Sequence, residues 1–191
     1  MVQINKNKDK LLIAGFSSSL FYSIAYPIVH TVTVSAITSN LLSIASLLNC
    51  VLTVLITKIW LSKGKVLYRA FSFFLSIEVI LYGILIYLFI VDGISALFFF
   101  MSDAILSSLI TRNIICAGVR LKSLRYEGED REKFDNKTVY YNNIACIIGY
   151  AFSSLIVLPT KLGFFLMFIG IAIDNIFYYY VYKKEVGKWQ Y

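Results

Sequence analysis

Six long apolar runs divide this 191-residue chain, and nearly every Lys and Arg falls into the gaps between alternate pairs of them. The runs cover about 11–31, 37–59, 66–91, 96–118, 140–158 and 162–182. Each is close to the ~20 residues with which an α-helix crosses ~30 Å of hydrocarbon. The fifth, 143–158 in its apolar part, is short unless Tyr140 and Tyr141 extend it into the membrane interface. A bilayer core holds no water for open backbone N–H and C=O groups, so helices are the expected form. With 59% of residues hydrophobic and 15% charged, the chain has too little polar material to surface a water-soluble domain. The expectation is an all-α polytopic membrane protein, a single domain of six transmembrane helices over residues 1–191, in contact with a lipid bilayer.

The basic residues orient that bundle. Lys6, Lys8 and Lys10 precede the first run, and Lys58, Lys63, Lys65 and Arg69 surround the second connection. Arg120, Lys122, Arg125, Arg131, Lys133 and Lys137 fill the fourth connection, 119–138, and Lys183, Lys184 and Lys188 follow the last run. Lys161 alone lies in the other connections, and Arg112 alone lies deep inside a run, Lys58 and Arg69 falling at the edges of theirs. Positive-inside reasoning puts both termini and both long connections on the cytoplasmic side of a cell membrane. The same allocation accounts for the net charge of +7 with no nucleic acid partner. Glu127, Glu129, Asp130, Glu132 and Asp135 interrupt the basic segment, whereas a surface that tracks phosphates is one-signed.

The first run is longer than the 7–15 residues of a secretory signal core, and five more follow it, so it reads as a span. Cys50, Cys116 and Cys146 sit far apart inside runs and read as small packing residues, with neither a disulfide framework nor a metal site expected. His30 is the single histidine. No H-E-x-x-H, G-x-S-x-G, P-loop or paired-cysteine motif occurs, so no cofactor and no enzymatic chemistry is expected.

Asp92-Gly93 and Pro159 mark two short turns, and the fourth connection separates three runs from three. The third and sixth runs each hold one carboxylate well inside, Glu78 and Asp174. Three spans is an odd number, so two such triplets would be inverted repeats of one another.

In the first run Gly15, Ser19, Tyr22, Ser23, Tyr26 and His30 recur at spacings of three and four, which gives one polar and aromatic face. That face is either a cavity lining, in which Tyr22, Tyr26 and His30 touch a substrate, or a packing seam made of small residues. Pro27 is expected to kink the helix near its outer end. Ser39, Ser43, Ser46, Cys50, Thr53 and Thr57 form a seam on the second run, and Ala145, Gly149 and Ser153 form another on the fifth. Both suit close helix approach, within the chain or in a second subunit.

Charges inside runs are the sharper signal, because a bare ion at mid-bilayer costs at least a few kcal/mol and faces a partner or water. Glu78, Asp103, Arg112 and Asp174 are these charges, and Ser107 and Thr111 continue the Asp103 stripe toward an aqueous cavity. Asp103 and Arg112, nine residues apart, fall on roughly opposite faces of a regular helix at ~100° per residue.

Six spans with cytoplasmic termini and two basic connections resemble one half of a major facilitator superfamily transporter. Trp60-Leu61-Ser62-Lys63-Gly64-Lys65-Val66-Leu67 is similar to that family's basic glycine turn, although the family's acidic residue is missing. Arg112 falls where family members often carry an intramembrane arginine, and Glu129-Asp130-Arg131 with Phe134 resembles the stretch before the fifth span. The resemblance implies lining or coupling roles for Tyr22, Tyr26, Asp103 and Arg112 and gating roles for Lys63, Gly64, Lys65 and Arg131, and as carboxylates inside runs Glu78 and Asp174 are further coupling candidates. The family uses two such bundles, so a second copy or a related six-span chain is the expected partner. One-sided basic residues favour a parallel pair. The function expected is a half-size secondary transporter, moving a small amphipathic organic solute or peptide, in the export direction, by alternating access. Two other readings stay open: the substrate-binding membrane subunit of a vitamin-type uptake system, and a non-transport immunity or sensory protein.

Overall fold

The computed structural model describes residues 3–35, 39–126, 128–156 and 158–186, and among them it contains helices and short corners only. The side chains of Lys6, Lys8, Ser39 and Arg125, and all of Glu127 and Lys188, lie outside the described residues. In chain order the helices are α1 (Gln3–Ser35), α2 (Ser39–Arg69), α3 (Phe71–Tyr87), α4 (Ala96–Leu106), α5 (Arg112–Arg125), α6 (Gly128–Leu155) and α7 (Thr160–Val186). Two five-residue π turns interrupt them: Leu88–Asp92 prolongs α3, and Ser107–Thr111 joins α4 to α5 in one continuous rod.

Among the described residues five stretches are long and apolar enough to cross a membrane: Lys10–Val32, Ser43–Arg69, Phe71–Asp92, Ala96–Leu124 and Thr160–Lys184. The chain is therefore a multi-pass helical membrane protein. Its helices turn Leu47, Val54, Ile80, Ile147 and Ile176 outward, each more than half exposed, a surface suited to lipid tails rather than water. The run expected at 140–158 lies in α6 and is not one of the five. Tyr140, Tyr141, Asn142 and Asn143 break its apolar character, and the helix ends at Leu155.

The connections differ from expectation in two places. The segment around Lys63, Gly64 and Lys65, expected as a turn between spans, is the end of α2. The helix kinks at Lys63 (φ −119°, ψ 18°) and runs on to Arg69, and the corner falls at Ala70, whose N–H donates to Leu67 O at 3.0 Å. Burial holds the helix together across that kink. Gly64 is buried, and a Cβ on it would stand 3.4 Å from the Trp60 ring and 3.7 Å from Arg120 Nη1. The 119–138 connection is likewise almost wholly helical. Within it α6 opens on Gly128, which takes the left-handed conformation (φ 49°) that few other residues adopt cheaply. Tyr126 is buried there and stacks on Phe134, centroids 4.5 Å apart and planes 15° apart.

The turns at Gly93 and Pro159 are where the sequence puts them. Gly93 is left-handed (φ 64°), and Ser95 then caps α4 by accepting from Phe98 N–H at 3.2 Å. Pro159 O receives the N–H groups of Leu162 (2.9 Å) and Gly163 (3.1 Å) and so starts α7. α1 is continuous through Pro27.

Packing divides the chain into two compact units, residues 1–27 with 121–191, and residues 28–120. This grouping does not follow the three-plus-three order of the apolar runs. In the first unit the small residues of α1 and those of α6 and α7 select one another. Ser23 and Ala145 are fully buried, and a Cβ on Gly149 would strike Ser23 Oγ and stand 2.9 Å from Leu20 O. A Cβ on Gly170 would stand 3.2 Å from Phe21 Cβ, and one on Gly15 would lie 2.9 Å from the Asn142 amide. The Ala145/Gly149 seam thus finds its partner within the chain.

Candidate functional site

The second unit is organised around the π turn at Ser107–Thr111. A π turn accommodates one extra residue in a helix, and such turns are frequent at functional sites. Side chains add donors to carbonyls in the turn and just before it. Ser107 Oγ (3.2 Å) and Ser108 Oγ (2.6 Å) donate to Ala104 O, and Asn113 Nδ2 donates to Leu109 O. In a membrane, a backbone group not served by the regular helical ladder needs a substitute of this kind.

The extra residue changes which faces meet. Asp103 and Arg112 would be ~180° apart on a regular helix. One inserted residue removes ~100° of that, leaving ~80°, and it brings Thr111 to within ~20° of Asp103. Asp103, Thr111 and Arg112 therefore share one side of the rod, the side on which α2 and α3 meet the π turn.

Two hydroxyl-to-carboxylate bonds join this side to α3. Tyr82 OH donates to Asp103 Oδ1 at 2.9 Å, and Thr111 Oγ1 donates to Glu78 Oε1 at 2.5 Å. Glu78 and Thr111 both lie in the electrostatic surroundings of Tyr82, so the two bonds form one cluster. Glu78 is buried at 5% exposure and Tyr82 also at 5%. Because α3 starts at Phe71 and not at residue 66, Glu78 lies ~10 Å along its helix at ~1.5 Å per residue, a third of the way across.

A second line of bonds joins the rod to α2. Asn49 Nδ2 donates to Ser107 Oγ at 3.2 Å, Thr53 Oγ1 to Asn49 Oδ1 at 3.2 Å, and Thr57 Oγ1 to Thr53 O at 2.7 Å. Arg112 Nε then donates to Thr57 Oγ1 at 3.2 Å. One turn further along, Trp60 Nε1 donates to Asn113 Oδ1 at 2.7 Å, with both side chains buried. The seam expected on α2 is thus split. Its Thr53 and Thr57 face the rod, while Ser43, Ser46 and Cys50 are exposed.

The structure brings together Glu78, Asp103, Ser107, Thr111 and Arg112. Asp174 belongs to the other unit, where it and Asp135 surround Tyr178 electrostatically. Tyr22 and Tyr26 also belong to that unit; both are exposed, with ring centroids 5.5 Å apart. The polar face of α1 therefore does two jobs: its Gly15 and Ser23 edge packs on α6, and its tyrosine edge faces outward. His30 is exposed on α1 beyond Pro27. Lys63 and Lys65 are exposed while Gly64 is buried. Arg131 forms an exposed ion pair with Asp135 at 3.8 Å on its own helix, a contact that carries little energy. Asn49, Tyr82, Ser108 and Asn113 belong to the network without carrying a charge. Their signal in the sequence is an amide or hydroxyl inside an apolar run, which is weaker than a charge but of the same kind.

Chemically, the cluster can hold and move protons. Each carboxylate already meets a hydroxyl donor, so a proton added to either has a defined neighbour to pass to or share with. Among the described residues no group of His, Cys, Asp and Glu is placed to hold a metal ion. No family model, curated protein or solved structure matches this chain.

Proposed function

We propose that this protein is a half-size, proton-coupled secondary transporter of six spans, with α6 as the remaining crossing and both termini cytoplasmic. It works as a parallel pair in the manner of the major facilitator superfamily. The observation that carries the reading is the pair of bonds Tyr82 to Asp103 and Thr111 to Glu78, two carboxylates engaged by neutral donors inside membrane-crossing helices. Ionisable groups are kept at that depth for a function far more often than for stability, since apolar residues would pack there at less cost. Asp103 and Glu78 bind and release the coupling proton; Tyr82 and Thr111 hold them in one cluster. The π turn lets Asp103, on the outer half of the rod, and Arg112 further along share one side, while Glu78 is offered from α3. The solute is small and amphipathic, it travels outward, and alternating access is provided by two bundles rocking against one another.

The test is reconstitution of the full chain in liposomes with a trapped pH dye and a panel of small amphipathic solutes. A solute that moves protons is the expected result, with Asp103→Asn and Glu78→Gln each reducing that flux at least about tenfold, the loss expected when a positioned proton carrier is removed. Wild-type rates in both variants, or no solute that moves protons, would sink the reading.

A further inference from the structure

We infer that Arg112 is an oxyanion site, and that the transported solute carries a carboxylate or similar planar anionic group. Arg112 lies ~24 Å along the 96–124 span at ~1.5 Å per residue, near its middle, where an uncompensated guanidinium is costly. Two carboxylates, Asp103 and Glu78, are in the same unit, yet neither is its ion-pair partner among the described residues. Asp103 takes the Tyr82 hydroxyl and Glu78 takes that of Thr111, both neutral. Arg112 spends Nε on another neutral group, Thr57 Oγ1, at 3.2 Å.

That one bond matters for what the side chain can then do. Thr57 Oγ1 is itself committed as a donor to Thr53 O at 2.7 Å, so it meets Arg112 only as an acceptor. Held at Nε, the guanidinium keeps its terminal Nη1 and Nη2 fork for a second partner. A fork of two parallel N–H donors fits a carboxylate or phosphate oxygen pair in a way that a lysine ammonium does not. The depth of the site argues against a lipid phosphate and for a group on a solute.

The carboxylates then acquire a linked role. With both ionised, Asp103 and Glu78 place two negative charges on the helices that meet at the π turn, and an incoming anion is repelled. Each proton taken up by Asp103 or Glu78 removes one negative charge and so weakens that repulsion. Proton and anion binding are therefore mutually favourable. The inference rests on the transporter reading for its direction of use, but the binding itself does not require transport.

The experiment is equilibrium binding of radiolabelled benzoate to the full chain in nanodiscs of zwitterionic lipid, with benzyl alcohol and benzylamine as neutral and cationic competitors. Saturable binding is expected, displaced by unlabelled benzoate and not by either competitor. Arg112→Gln should weaken it at least about tenfold, Arg112→Lys less, and Asp103→Asn or Glu78→Gln should strengthen it a few-fold. Thr57→Val keeps every charge but releases Nε, and should weaken binding a few-fold even if Arg112→Gln does not fold. No saturable binding, equal affinity in Thr57→Val and the wild type, or displacement by benzylamine would overturn the site. Loss of benzoate binding on moving to phosphatidylglycerol discs would reassign the site to a lipid phosphate and overturn the solute assignment. Benzoate binding without proton flux would leave this site standing and remove the transporter reading. Proton flux with neutral solutes and no benzoate binding would do the reverse.

Discussion

In the unit of residues 1–27 and 121–191, helices meet where side chains are missing; in the unit of residues 28–120, they meet where side chains bond. The first brings backbones together at Gly15, Gly149 and Gly170, with Ser23 and Ala145 buried at the crossing. The second spans its crossings with Asn49, Thr57, Trp60, Tyr82, Asp103 and Asn113. Both solve the same problem, since lipid tails give apolar side chains no reason to prefer a neighbouring helix. The solutions differ in what they allow. Close backbone packing relies on shape and tolerates almost no added volume. A hydrogen-bonded seam can exchange partners, proton by proton, while its helices stay in place. The proposed proton traffic belongs with the second construction, which is where Glu78, Asp103 and Arg112 lie.

The contrast can be broken most forcefully at Gly149. Gly149→Val adds atoms where Ser23 and a backbone oxygen already stand, and overpacking of this kind costs about 1–3 kcal/mol or more. Thermal unfolding in detergent should show a large drop in midpoint, and the fraction that remains folded should keep its normal proton flux. A smaller effect is expected from Asn113→Ala, which leaves the buried Trp60 N–H and Leu109 O without their present partner. A loss of about 1–2 kcal/mol is expected in the same assay, at the upper end of hydrogen bonds measured within membranes. If Asn113→Ala proved harmless while Gly149→Val was severe, the second unit would be held by apolar contact after all. The smallest effect should come from Arg131→Ala, whose ion pair with Asp135 is 41% and 47% exposed. Less than about 0.5 kcal/mol is expected, with flux unchanged, because exposed pairs on one helix are screened. A clear flux defect there would restore the gating role that the sequence suggested.

The class of the protein was legible because bilayer thickness acts directly on composition: runs of about 20 apolar residues admit few other readings. The turns at Gly93 and Pro159 were legible for an equally local reason, a left-handed glycine and a residue with no N–H to donate. The α2 end was not. Lys63-Gly64-Lys65 reads as a corner until Arg120 reaches across to Gly64, a tertiary contact no local pattern contains. The charged members of the site were legible from their cost in hydrocarbon. Their mutual placement was not, because Asp103-to-Arg112 spacing predicts opposite faces unless the helix holds an extra residue. The segment Ser107-Ser108-Leu109-Ile110-Thr111 has no sequence mark of a wide turn. Its form depends on what Asn49, Glu78 and Asn113 supply from elsewhere on the helices.

The π turn also bears on how this chain is to be set beside others. A chain whose corresponding span is α-helical throughout should carry one residue fewer between positions 107 and 111. Aligned without that gap, every position on one side of the turn would be matched to a residue ~100° away around the helix. An arginine equivalent to Arg112 would then be counted one place out of register and judged absent.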